Sequence, residues 1–262
     1  LPLFPGAASA YAAFRPGLPE AAATLLTDTV QGTPRPVLLD LGTGTGQVPA
    51  AVHQAFARID VVEPDQGMID EATAVLRPLL GDTPLGVHHC PAEDFTAPYP
   101  GYRANLVTAA RAFHWMSQAE VLRLLDGVTA PDAAVAVMGE GSLWTARSPW
   151  TDALRELIQS YLGEERRAGT QGTYTRPRRR YEEVLADSPF SRLEEHALPV
   201  SRRWTPEQVI GYLASTSFAA PSLFGERHTA FETEALSLLG RYAANGPLTE
   251  DAVFTVLLAR RP

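Results

Sequence analysis

Asp40-Leu41-Gly42-Thr43-Gly44-Thr45-Gly46 is the stretch whose residue types and spacing could do chemistry. Glycines let a turn tighten and let a ligand approach the backbone closely. The loop follows a short apolar run at 37–41 and precedes a helical stripe, the context a nucleotide-type loop needs. A dinucleotide loop of the G-x-G-x-x-G kind requires glycine at position 47, where this chain has Gln47. Acids flank the loop: Asp40 lies two residues before the first glycine, and Glu63 closes the next apolar run. His114, in Ala110-Arg111-Ala112-Phe113-His114-Trp115, is the best candidate for a general base, because imidazole titrates near neutrality. Its plainer role would be to orient a substrate or satisfy a backbone carbonyl. His88-His89-Cys90 invites a metal reading, but adjacent strand residues point to opposite faces and make a poor chelate, so no metal is expected. Arg176, Arg178, Arg179 and Arg180 form either a solvated loop or a clamp for an anionic substrate, since guanidinium suits bidentate carboxylate or phosphate recognition.

Composition narrows the chemistry. All 22 basic residues are arginine, which excludes an internal Schiff base, a pyridoxal-phosphate anchor and a P-loop lysine. A formal charge of -8 argues against nucleic acid as the main partner. One cysteine, Cys90, excludes an internal disulfide framework and suits the cytoplasm. No apolar stretch approaches a membrane span and no signal peptide is visible, while the opening Leu1 leaves the native start undefined.

The elements that must position these residues alternate. Strand-like runs at 37–41, 59–63, 85–90, 106–110 and 133–138 are separated by helical patterns, the signature of a parallel sheet with helices on both faces. The first helix is read over 18–29. Val48, Ala51, Val52, Ala55 and Phe56 mark the helix behind the glycine loop; Met68, Ala72, Val75, Leu76 and Leu79 mark the next. Ser117-Gln118-Ala119-Glu120 reads as a capping box, as does Thr205-Pro206-Glu207-Gln208, and Ser148-Pro149 starts a further helix. Strand character returns at 193–204 and ends at 252–259.

The glycine loop with Glu63 resembles class I S-adenosylmethionine-dependent methyltransferases. Tyr11-Ala12-Ala13-Phe14-Arg15-Pro16-Gly17-Leu18-Pro19, Ala92-Glu93-Asp94-Phe95 and the Phe113-His114-Trp115 element resemble segments of the small-molecule group related to the trans-aconitate type. Tyr212-Leu213-Ala214-Ser215-Thr216-Ser217 is a smaller match. The resemblance implies S-adenosylmethionine as cofactor and S-adenosylhomocysteine as product. It implies Asp40 on the methionine moiety, Gly42, Gly44 and Gly46 in the loop, and Glu63 on the ribose hydroxyls. Met68, Ala92 and Glu93 would border the adenine or ribose, with Ala110 beside the methyl and Tyr11 and Arg15 folding over the cofactor. His114 would face the methyl as the catalytic residue; Trp115, Arg178 and Arg179 would meet the substrate. Asn105 departs from the family's usual Asp at a structural position.

The expected architecture is an α/β, Rossmann-like seven-stranded sheet with helices on both faces and a helical insertion after strand five. Residues 1–139 would be the cofactor-binding core with lead helices, 140–190 a substrate lid and 191–262 the completion of the sheet. The expected function is methyl transfer to an oxygen, nitrogen or carbon of a small molecule, possible in natural-product biosynthesis, with no membrane partner and an undefined oligomeric state. The rival readings are a methyltransferase-like protein catalysing a cyclisation or other non-transfer reaction, and a non-catalytic binding module.

Overall fold

The computed structural model describes residues 8–168, 172–173, 179–244 and 246–262. Their strands are β1 (Val37–Leu41), β2 (Arg58–Val62), β3 (Leu85–His88), β4 (Ala104–Ala110), β5 (Thr129–Gly139), β6 (Arg192–Trp204) and β7 (Leu248–Arg260). Their helices are α1 (Ala8–Phe14), α2 (Glu20–Asp28), α3 (Gln47–Val52), α4 (Gln66–Leu80) and α5 (Gln118–Val128), then α6 (Pro149–Leu162), α7 (Tyr181–Ala186), α8 (Pro206–Ala214), α9 (Pro221–Phe224) and α10 (His228–Ala243). The strands form one sheet in the order β3-β2-β1-β4-β5-β7-β6, as expected for the Rossmann-like methyltransferase fold. β1 to β5 pair in parallel, and β7 runs antiparallel to β5.

Contacts divide the chain into two compact units. One comprises Gly17–Glu140, Pro177–Leu198 and Phe254–Pro262. Its β1, β2 and β4 are buried almost end to end, because helices cover both faces of a parallel sheet. The chain passes outward from β1 to β3 and then returns to place β4 on the other side of β1. At such a reversal the loops after the two central strands diverge and leave a crevice at their carboxyl ends. Asn105 accepts a hydrogen bond from the Val37 backbone N–H at 2.9 Å, so it pins the start of β1 to β4 without a carboxylate.

Local readings are corrected in places. β3 stops at His88 rather than Cys90, whose N–H turns back to the His88 carbonyl at 3.1 Å. β4, β5 and β7 each begin earlier than expected, with a register irregularity between Ala104 and Leu106. In α3 Ala51 is exposed, because the helix tightens into a 3₁₀ turn after Val52. In α4 Val75 and Leu79 face solvent, while Ile69 and Leu80 join Met68, Ala72 and Leu76 inside. Ser117 makes no side-chain cap; its own N–H is taken by the Glu93 carboxylate, an anion favoured at a helix start.

The other unit comprises Leu1–Pro16, Gly141–Arg176 and Pro199–Val253. Its core gathers Trp150, Trp204, Tyr212, Phe218, Phe224 and Phe231. The expected helix starts are present: Ser148 with Thr151 and Thr205 with Gln208 form reciprocal caps behind a proline in the first turn. Trp204 Nε1 donates to the buried Glu250 at 3.0 Å, and Trp150 Nε1 donates to the Thr249 carbonyl at 2.9 Å.

A buried charge in the sheet-bearing unit is the strongest local constraint. Asp60, at the middle of β2, is wholly enclosed. Arg58 Nε and Nη2 donate to its two oxygens at 2.7 and 2.8 Å, and His88 Nε2 lies 3.0 Å from Oδ1. Burial alone would push this carboxyl up, but the bonds from His88 and Arg58 outweigh it and hold it below the ordinary range. Gly86 faces it with no room for a Cβ. Removing one partner of a buried ion pair typically costs about 3–5 kcal/mol. Asp60→Ala is expected to lose that much in urea unfolding, and a loss below about 1 kcal/mol would reduce the cluster to a surface-type pair.

Candidate functional site

The glycine loop is built by the strands on either side of it. Gly42 and Thr43 N–H groups both donate to the Val62 carbonyl, at 2.8 and 3.2 Å, so the loop after β1 is tied to the end of β2. Gly42, Gly44 and Gly46 have φ of 64°, 55° and 80°, the left-handed region that favours glycine. Gly42 has a second reason to lack a side chain: a Cβ there would come within 2.5 Å of the Ala112 Cβ. All three glycines therefore sit where the sequence placed a tight turn.

Glu63 follows directly and is 8% exposed. Its Oε2 accepts from Gly44 N–H at 2.9 Å and its Oε1 from Asp65 N–H at 3.1 Å. Burial pushes its carboxyl up from the ordinary range, and the two backbone donors pull it back. Each oxygen keeps a lone pair, so the carboxylate is aimed and still able to accept. Asp65 then caps α4, its Oδ1 accepting from Met68 N–H at 3.1 Å, which places buried Met68 one turn beyond Glu63.

Asp40 lies at the reversal of the sheet. Its register partner across β1 and β4 is Thr108, whose hydroxyl donates to Oδ1 at 2.5 Å. Among the described residues Oδ2 and the buried Thr43 and Thr45 hydroxyls make no well-aligned hydrogen bond, although the Thr43 hydroxyl lies close enough to Asp40 to lower its carboxyl. Three orphaned polar atoms around one glycine loop fit a polar, partly cationic ligand, because burying such groups without partners is costly. Burial raises the Asp40 carboxyl from 3.8 to about 6, with the Thr108 and Thr43 hydroxyls opposing and the neighbouring Glu63 charge adding to the rise.

The remaining residues fall into four groups. Ala92 is buried in a 3₁₀ turn with Glu93, whose carboxylate holds Ser117 N–H. Ala110 ends β4, and Phe113-His114-Trp115 forms a further 3₁₀ turn after it. Phe113 is buried, Trp115 is 42% exposed, and the His114 and Trp115 rings lie 4.7 Å apart. Tyr11 and Arg15 belong to the other unit. There Arg15 Nε donates to Ser215 Oγ at 3.0 Å, and its guanidinium stands over the Tyr11 and Tyr212 rings. The two resembling segments at 11–19 and 212–217 thus meet each other. Arg179 pairs with Asp187 at 2.6 Å and Arg180 with Glu182 at 2.6 Å, so both guanidiniums are engaged by acids of their own segment. Arg176 and Arg178 lie outside the described residues.

Sequence reasoning missed Thr108, Thr43, Thr45 and Asp65. A lone threonine in the apolar run at 106–110 was a signal, but only strand register reveals that it faces Asp40. His88, the last residue of β3, turns to Asp60, and His89 beyond the strand turns to the Pro64 carbonyl. Among the described residues no group of three metal-ligating side chains forms, and no helix is long and apolar enough to cross a membrane.

Residues 38–132 match a family model described as a methyltransferase domain. No curated protein matches. Among solved structures, the chain is 25% identical to a protein of Anaeromyxobacter dehalogenans assigned as a type II methyltransferase, covering 95% of this chain and 98% of that one with a TM-score of 0.65. A protein of Bacillus halodurans assigned as a methyltransferase is 14% identical, with 91% and 99% coverage and a TM-score of 0.52. Precorrin 8w decarboxylase of Methanobacterium thermoautotrophicum, 14% identical over 93% and 92% with a TM-score of 0.51, shares the fold. Residues 38–132 are thus similar to a methyltransferase domain, and the fold of the chain is the one these solved structures share.

The raised Asp40 carboxyl gives a pH test with a definite sign. A folded pKa above the unfolded value means the folded state carries a penalty once both states are ionised, complete above about pH 6 and gone below 3.8. Asp40→Asn is therefore expected to stabilise the ligand-free protein at pH 8 by about 1–3 kcal/mol. Thermal melts should lose that gain as pH falls from 6 to below 4, and a gain independent of pH would contradict it.

Proposed function

We propose that this chain transfers the methyl group of S-adenosylmethionine to a small-molecule acceptor. The observation that carries the reading is the Glu63 carboxylate held by Gly44 and Asp65 N–H groups beside the unpaired Asp40 Oδ2, at the point where the sheet order reverses. Glu63 would accept both ribose hydroxyls and would repel a 2′-phosphate. Asp40, Thr43 and Thr45 would hold the methionine moiety, and Met68, Ala92 and Glu93 would border the adenine.

When bound, the cofactor would supply an electrophilic methyl group on a positively charged sulfur. The protein's part is alignment and exclusion of water. Ala110 and the turn after β4 would flank the reacting atoms. His114 would take the proton that a hydroxyl or amine acceptor loses, with Trp115 walling the acceptor. Arg178 is the better candidate to meet an anionic acceptor, because Arg179 already pairs with Asp187. A single free cysteine and the acidic balance favour a cytoplasmic enzyme that binds no nucleic acid.

Calorimetry with S-adenosylhomocysteine tests the cofactor assignment. Glu63→Ala is expected to weaken binding by about 1–3 kcal/mol, the range for lost bonds to a charged group. Unchanged affinity in a folded variant would overturn the ribose role.

Product mass tests transfer itself: a gain of about 14 daltons with release of S-adenosylhomocysteine is expected, and an isomerised product would favour a non-transfer reaction. With an acceptor identified, His114→Ala and His114→Gln should both lower turnover by about 10²–10⁴ and spare cofactor affinity. Near-normal turnover in His114→Gln would instead leave the histidine as an orienting group.

A further inference from the structure

Arg111 follows β4 directly with φ of 55°, a left-handed conformation that a long side chain rarely adopts. Such strain persists where the surroundings over-determine it. Here the Arg111 N–H continues the ladder to the Met138 carbonyl at 2.8 Å. Its Nη2 meets Glu140, just beyond β5, at 2.6 Å, and both side chains are largely buried. Its Nη1 reaches Gln47, the residue behind the glycine loop, at 3.4 Å, and the guanidinium stands over the Phe254 ring. One side chain thus joins the ends of β4 and β5 to the first turn of α3. The left-handed residue also turns the chain so that Ala112 lands on Gly42, immediately before the Phe113–Trp115 turn.

We infer that the Arg111–Glu140 ion pair, with Gln47, sets the position of the His114 turn against the glycine loop, making Arg111 and Glu140 positioning residues. Backbone geometry alone would be served as well or better by glycine at 111, since glycine adopts positive φ without penalty. The side chain is what glycine cannot supply. The inference rests on the methyl-transfer reading only for its bearing on turnover; the geometry is testable without it.

The test compares Arg111→Gly, Glu140→Gln, their combination and Arg111→Lys in the full chain, with Val75→Ser on the exposed face of α4 as control. Amide exchange of residues 112–116 and the His114 imidazole resonances, assigned by their loss in His114→Gln, are read by NMR. Arg111→Gly and Glu140→Gln are each expected to speed exchange there about tenfold and to move the His114 resonances and their titration midpoint, and the pair to be no worse than either. Arg111→Lys should recover part of both signals. Unaltered exchange and His114 resonances in Glu140→Gln, or additive losses in the pair, would overturn the inference; should Arg111→Gly fail to fold, Glu140→Gln and Arg111→Lys still decide it. Wild-type protein that does not bind S-adenosylhomocysteine would instead overturn the proposed function and leave these NMR outcomes standing.

Discussion

A buried carboxylate with one oxygen satisfied and one not is the constraint around which the loop region is arranged. Asp40 cannot lie elsewhere on β1 without breaking its bond to Thr108, and that bond exists because β4 pairs directly with β1. The sheet order that makes them neighbours is the same order that opens the crevice at their carboxyl ends. Folding therefore places a costly, half-paired carboxyl directly before the glycine loop. A wholly satisfied Asp40 would make a more stable sheet.

The neighbouring parts extend the same logic through backbone groups rather than long side chains. Val62 carbonyl accepts two loop N–H groups, and Glu63 accepts two more, so the end of β2 shapes the glycine loop and the loop in turn aims the acid. Short connections of this kind leave little to reorganise when a ligand arrives. Asp60, earlier on the same strand, plays the opposite part. Its charge is completely paired by Arg58 and His88 and holds β2 against β3. One strand thus carries a fully paired charge and is followed at once by a carboxylate that can still accept hydrogen bonds.

The loop spacing and the alternation of strands and helices were legible because each depends on residues close in sequence. Glycine at three left-handed positions and apolar runs of strand length need no distant partner to be recognised. The misread features each depended on one. Ser117 fits a capping pattern, but Glu93 reaches its N–H first. Val75 and Leu79 fit a helical stripe, but the sheet covers a face rotated toward Ile69 and Leu80.

By itself the sequence determined the class of loop, the acid that follows it and the absence of lysine chemistry, since residue type and spacing carry those directly. Only the tertiary structure decided that Thr108 partners Asp40, that Arg15 grips Ser215 some 200 residues away, and that Arg111 spans to Glu140. Those pairings come from strand register and from the crossing of distant segments. No local pattern encodes them, because a side chain's partner is fixed by where the backbone brings it and not by its neighbours along the chain.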